Sequence, residues 1–139
     1  MPNKENKKIL VVDDDENIVW AVNALLTMKG YEVDLSKTGA DAISKSKDKL
    51  YDLAIIDIKL PDMDGIALLN IFKDGFPQMR KIIMTGHATK DNAINALNQG
   101  ADFFLTKPVR LQEFMDVIVT QLQKKHKVST LPPKEGPSV

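Results

Sequence analysis

Asp57 closes the run Asp52-Leu53-Ala54-Ile55-Ile56 and is followed by Lys59-Leu60-Pro61-Asp62-Met63-Asp64-Gly65, so a carboxylate stands where a buried strand is predicted to break into a Pro/Gly loop. Three other apolar runs also end in chemically useful residues. Ile9-Leu10-Val11-Val12 ends in Asp13-Asp14-Asp15, Ile82-Ile83-Met84 ends in Thr85-Gly86, and Phe103-Phe104-Leu105-Thr106 ends in Lys107-Pro108. If the four runs are parallel strands, their carboxyl ends open on one edge, where open α/β sheets bind ligands. Three acids, a hydroxyl and an ammonium then meet in one crevice, offering cation binding by the acids and anion binding by the ammonium. Each piece alone is ordinary loop chemistry: Asp starts turns, and Lys-Pro is a common way to leave a strand. Their joint order carries the weight.

The stretches between the runs must supply helices to position those strands. Ile18, Ala21, Val22, Leu25 and Leu26 recur at helical spacing and Gly30 stops the pattern, which predicts a first helix over Glu16 to Lys29. Tyr31-Glu32-Val33-Asp34-Leu35 alternates and suits a half-exposed edge strand. Thr38 with Asp41 resembles a capping box and starts a second helix with a thin apolar face. A third helix follows Asp64-Gly65 through Ile66, Leu68, Leu69 and Phe72 and ends near Gly75. A fourth runs from Thr89 to Gly100 with Ala93, Ala96 and Leu97 inward, and a fifth carries Leu111, Phe114, Ile118 and Leu122 on one stripe. Strict β/α alternation predicts a parallel sheet with right-handed crossovers and helices on both faces. The expected architecture is a flavodoxin-like, doubly wound (βα)5 fold in strand order 2-1-3-4-5.

Composition bounds the function. The chain has 139 residues, enough for one domain with a real core, and apolar residues make up 43% against 27% charged, as in soluble globular chains. A formal net charge of zero argues against direct nucleic-acid or membrane-surface binding; Lys124, Lys125 and Lys127 read as a solvated helix end. Without cysteine there is neither a disulfide framework nor thiol chemistry. No apolar run is long enough for a signal peptide core or a membrane span, which makes the cytoplasm the expected compartment. Residues 1–6 read as an N-terminal extension, 7–126 as the folded domain, and the Pro-rich 127–139 as a flexible tail or linker stump too short for a second domain.

Taken together, and in this order, the residues ending the strands resemble the receiver domain of two-component response regulators. The resemblance implies that Asp57 is the phosphoryl acceptor, that Asp13 and Asp14 are the acidic pair holding a metal, and that Thr85 is the switch hydroxyl. It also implies that Lys107 is the active-site lysine, with Pro108 after it a candidate for a cis peptide bond. The metal is expected to be Mg²⁺ or Mn²⁺, completed by the Lys59 backbone carbonyl. Clustered carboxylates repel strongly, and a hard, oxygen-preferring ion relieves that repulsion. Asp57 would then act as a carboxylate nucleophile toward a phosphohistidine on a sensor histidine kinase or a histidine phosphotransfer protein. The expected output is a protein partner on the face of the fourth helix, fifth strand and fifth helix, with homodimerisation on phosphorylation a further expectation.

Departures from that pattern matter as well. Phe104 occupies the aromatic switch position without the hydroxyl of a Tyr, and Arg110 stands where an Asp cap is common, placing a cation at the wrong helix end. Trp20 falls about 200° round the first helix from Ile18, off the apolar stripe, and should be at least partly exposed. His87 is expected at the mouth of the site rather than on the metal, since Mg²⁺ prefers oxygen; with Lys59 it is expected to govern water access. His126 carries no argument. The rival reading is a Mg²⁺-dependent phosphohydrolase of the aspartyl-phosphate type. It is disfavoured because such enzymes commonly place a second acid two positions after the nucleophile, where this chain has Lys59. The chain is read as a signalling domain and not an enzyme, either complete or cut from a longer regulator.

Overall fold

The computed structural model describes residues 6–124. Five strands and five helices alternate: β1 (Lys8–Val12), α1 (Glu16–Met28), β2 (Glu32–Ser36), α2 (Gly39–Asp48), β3 (Leu53–Ile56), α3 (Gly65–Gly75), β4 (Arg80–Thr85), α4 (Lys90–Asn98), β5 (Phe103–Thr106) and α5 (Leu111–Gln123). All neighbouring strands are parallel, in order β2-β1-β3-β4-β5, so the flavodoxin-like (βα)5 expectation holds. The strand ends align as the site requires: Val12 pairs with Ile56, and Thr85 with Thr106. Lys125, His126, Lys127, the proposed tail and residues 1–5 lie outside the described residues.

The period of two in the strands splits the core into two layers. Leu10, Val12, Ala54, Ile56 and Ile83 pack against α2, α3 and α4, chiefly on Leu68, Leu69, Phe72 and Ala96. On the other face, Ile9, Val11, Leu53, Ile55 and Ile82 meet α1 and α5 through Val19, Val22, Leu26, Phe114 and Ile118. Since β1, β3 and β4 are covered on both faces, their central stretches Ile9–Val12, Leu53–Ile56 and Ile82–Met84 run apolar without alternating.

Four helices start on a side-chain cap. Asp15 accepts from the Asn17 and Ile18 amides, Thr38 from Asp41, Asp64 from Ile66, and Thr89 from Asn92. Arg110 makes no such bond at the start of α5. The Thr38–Asp41 pair is half a capping box, because the Asp41 carboxylate turns outward to Lys45 at 2.7 Å.

Several inward expectations are corrected. In α1 the buried stripe is Val19, Val22 and Leu26, while Ala21 is exposed. In α4 only Ala96 is buried and Leu97 is 52% exposed; in α5 Leu111 is 67% exposed. Ala21 and Leu111 instead line a groove where α1 and the start of α5 diverge above Pro108 and Val109. Trp20 is 74% exposed, as its position off the stripe predicts.

Candidate functional site

The crevice forms because two strands are prolonged by one residue each. The Asp57 amide donates to the Val12 carbonyl at 3.0 Å and the Asp13 amide to Ser36 at 3.0 Å, so both carboxylates leave the sheet from registered positions. Lys107 is fixed likewise, its amide donating to the Thr85 carbonyl at 2.9 Å, and the Lys107–Pro108 peptide bond is cis. From there the Lys107 ammonium donates to Asp13 Oδ2 at 2.8 Å and to Asp57 Oδ2 at 3.2 Å.

Asp13 and Asp57 are 2% and 7% exposed, whereas Asp14 is open to solvent. Burial pushes the Asp13 carboxyl above the usual range, although hydrogen bonds from Lys107 and the Asp15 amide work in the other direction. Burial also acts against the Lys107 ammonium, but its bond to Asp13 and the charges of Asp13 and Asp57 outweigh that and hold its pKa above the ordinary lysine range. Lys107 is therefore a fixed cation.

Carboxylate oxygens of Asp13, Asp14 and Asp57 lie within 4.8 Å of one another. Three acids against one ammonium leave the cluster with excess negative charge, and its donors are all hard oxygens. That set fits Mg²⁺ or Mn²⁺ and does not suit a soft metal. Asp15, the third acid of the run, is not in this set: its carboxylate caps α1.

The cleft over these groups holds about 480 Å³ and is lined by Asp14, Asp57, Lys59, Gly86, His87 and Lys107. Lys59 and His87 are both exposed at its mouth. The Lys59 amide stands 3.5 Å from Asp57 Oδ1, at the limit of a hydrogen bond. Thr85 is fully buried at the end of β4, and its hydroxyl oxygen accepts from the His87 amide at 3.1 Å. Phe104 pairs with Ile83 in register and lies half-buried against the α2/α3/α4 layer, on the same sheet face as Thr85.

Two residues without a role in the sequence reading shape the site. Gly65 is required because a side chain there would collide with the Asp57 carbonyl oxygen; its amide donates to the Ile58 carbonyl at 2.6 Å. The glycine in Asp64-Gly65 was the available signal. Asp62 accepts from the Gly39 and Ala40 amides at the start of α2, at 2.8 and 2.9 Å, a contact between distant segments that no local pattern announces.

Comparison with known proteins agrees with this geometry. The family model described as "Response regulator receiver domain" matches residues 9–119. The transcriptional regulatory protein ZraR of Klebsiella oxytoca is 34% identical over 134 residues, 96% of this chain and 30% of that protein. The NtrC regulator of Proteus hauseri is 36% identical over 110 residues, 79% of this chain and 23% of that protein. A CheY-like receiver domain structure from Methanospirillum hungatei superposes with a TM-score of 0.83 at 38% identity, over 85% of this chain and 94% of that one. The beryllofluoride-activated NtrC4 receiver domain dimer gives 0.80 at 34%, over 84% and 96%. The chain thus spans roughly a quarter to a third of the length of these curated relatives.

Proposed function

Since the chain belongs to the response regulator receiver domain family and is a signalling domain of two-component systems, we propose that it accepts a phosphoryl group on Asp57 in a Mg²⁺- or Mn²⁺-dependent reaction. Receiver domains are phosphorylated by histidine kinases, so the donor is a phosphohistidine on a sensor kinase or a histidine phosphotransfer protein. The observation that carries the reading is the Lys107 ammonium lying across Asp13 and Asp57 beneath an open cleft.

In the transfer, an Asp57 carboxylate oxygen forms the new O–P bond as the N–P bond of the phosphohistidine breaks, and that electron pair leaves with the imidazole. Little covalent help is needed; in-line positioning and charge neutralisation do most of the work. Asp13, Asp14, Asp57 and the Lys59 carbonyl would hold the divalent ion, which when bound supplies positive charge for the incoming phosphoryl oxygens. Lys107 supplies a second cation from the side of β5. Its ion pairs with Asp13 and Asp57 keep it oriented before a donor arrives.

The Thr85 hydroxyl proton is not committed by its contact with the His87 amide, so it can turn to a phosphoryl oxygen once one is present. A shift of the 85–87 loop then changes the space beside Phe104. The ring acts through packing alone, having no hydroxyl, and the rearranged surface is that of α4, β5 and α5. Ile94, Leu97, Phe103 and Val119 are exposed there, which supports a protein partner, or a second copy of the chain, as the recipient of the signal. Among the described residues no helix is long and apolar enough to cross a membrane, and a cytoplasmic setting is consistent with a kinase donor. A phosphohydrolase of the aspartyl-phosphate type commonly carries a second acid two positions after the nucleophile, and this chain has Lys59 there instead.

The test is covalent phosphorylation by acetyl phosphate, read by intact-protein mass spectrometry. Asp57→Asn should keep its circular dichroism spectrum and lose the phosphoryl adduct entirely, whereas an adduct on that variant would move the acceptor elsewhere.

A further inference from the structure

We propose that Asp62 is a positioning residue for the chemistry at Asp57, its carboxylate tying the loop that carries Lys59 to the amino terminus of α2. The inference rests on the reading of Asp57 and the Lys59 carbonyl given above, and adds a residue and a helix to it.

The base of the β3–α3 loop is closed by its own bonds. The Gly65 amide donates to Ile58 at 2.6 Å, Lys59 and Asp64 form an antiparallel bridge, and Asp64 accepts from the Ile66 amide at 2.8 Å. These bonds set where the loop leaves β3 and enters α3. They do not reach its tip, Leu60 to Met63.

At the tip, Asp62 Oδ1 accepts from the Gly39 amide at 2.8 Å and Oδ2 from the Ala40 amide at 2.9 Å. A helix start leaves its first amides without internal partners. Here Thr38 takes the Asp41 amide, and Asp62, brought in from another loop, takes the two before it. Two charge-assisted bonds in parallel fix the orientation of a carboxylate as well as its distance. The two amides also hold the Asp62 carboxyl below its ordinary range, so it stays charged. Met63 reinforces the contact, its sulfur filling the space that a side chain on Gly39 would need.

Lys59 is thus restrained from both sides, by the bridge to Asp64 at the loop's base and by the Asp62 clamp at its tip. When the clamp is lost, the loop is free to carry the Lys59 carbonyl away from the place where, on the reading above, it would complete the ion's ligand set with Asp14 and Asp57. Affinity for the divalent ion falls, while chemistry at saturating ion survives. Linkage requires the converse as well: ion binding must steady the first turn of α2.

The experiment compares wild type, Asp62→Ala, Asp62→Asn and Thr38→Ala as full chains. Mg²⁺ affinity is measured by competition against Mn²⁺ in electron paramagnetic resonance, and amide exchange at Gly39 and Ala40 by NMR. Asp62→Ala should weaken Mg²⁺ about tenfold, the scale on which groups that orient metal ligands act. Asp62→Asn, which keeps one acceptor oxygen, should fall between it and wild type. Thr38→Ala uncaps the same helical turn without touching the loop and should leave affinity unchanged. In wild type, Mg²⁺ should slow exchange at Gly39 and Ala40; in Asp62→Ala, phosphorylation by acetyl phosphate should need more Mg²⁺ yet reach the same maximal rate. Unchanged Mg²⁺ affinity in Asp62→Ala, or an equal loss in Thr38→Ala, overturns the clamp. Neither reading requires a phosphoryl group on Asp57. A wild type that binds Mg²⁺ but takes no phosphoryl group sinks the acceptor assignment alone, with the clamp still decided by the affinities.

Discussion

Two charge clusters on this fold use the same residue types to opposite effect. In the crevice, Asp13, Asp14 and Asp57 face Lys107; at the β2 edge, Lys49 donates to Glu32 and Asp34 at 2.9 Å each, and the Tyr51 hydroxyl donates to Asp34 at 2.5 Å. The Asp34 carboxyl lies below the usual range because the Tyr51 hydroxyl and Lys49 both bind its charged form. Asp13 lies above the usual range because burial outweighs its partners. The edge cluster therefore contributes to folding, whereas the crevice holds its charges at a cost that a divalent ion would offset. Location makes the difference. Asp34 keeps a third of its side chain in water, and Asp13 has almost none.

Removing the single lysine from each cluster should break that comparison most sharply. In Lys107→Met, Asp13 and Asp57 lose their cation, and without divalent ions stability should fall by about 2–3 kcal/mol, below the usual cost of splitting a fully buried pair because the Lys107 side chain is 15% exposed at the open cleft. Millimolar Mg²⁺ should restore most of the loss. Lys49→Met should show a smaller loss in urea denaturation and no rescue by Mg²⁺. Rescue of both variants, or of neither, would remove the distinction between the clusters.

A smaller effect sharpens the edge cluster by pH. Asp34 has a depressed folded pKa, so its contribution is complete above its unfolded value near 3.8 and is lost as pH falls through the lower folded value. Asp34→Asn should cost about 1 kcal/mol or less at pH 7, given its partial exposure. The gap to wild type should stay level down to about pH 5 and close in stronger acid. Denaturation midpoints measured across that range decide it, and a gap that widens in acid contradicts the assignment.

How far each cluster could be read from sequence follows from the same contrast. The crevice was legible because each of its members ends an apolar run, and parallel strands bring run ends together without further information. Asp34, Lys49 and Tyr51 gave no comparable signal, since their contact depends on how α2 seats the 49–51 loop against β2. Asp62 was hidden for the same reason, its amides lying on α2. Helical periodicity identified every helix but put Ala21, Leu97 and Leu111 inside, because a stripe tells which side faces inward and not where the partner surface ends. Lys81 escaped the strand reading altogether. It is buried in β4, where its ammonium donates to the Met79 carbonyl at 2.7 Å and desolvation lowers its pKa, a case of a long side chain bringing its charge to a backbone oxygen.

The smallest expected effect concerns the rim of the crevice, where Lys59 adds positive charge that belongs to neither cluster's core. Under the proposed phosphorylation of Asp57, loss of the phosphoryl group requires a water lined up opposite the aspartyl oxygen, and Lys59 and His87, which line the cleft, are proposed to flank its path. A charged lysine donates but cannot accept, so it cannot orient an attacking water by taking its hydrogen. Its stem can block the approach, or its ammonium can bond the phosphoryl oxygens and hold them. On the proposed reading, Lys59 thus favours a long-lived phosphoryl group. Lys59→Asn restores an acceptor on a shorter stem and should speed phosphate loss about threefold to tenfold in saturating Mg²⁺, a change worth about 1 kcal/mol in the barrier. The rate is read from the decay of the phosphorylated mass after the donor is removed, and an unchanged or slower decay would mean that Lys59 does not limit the access of water.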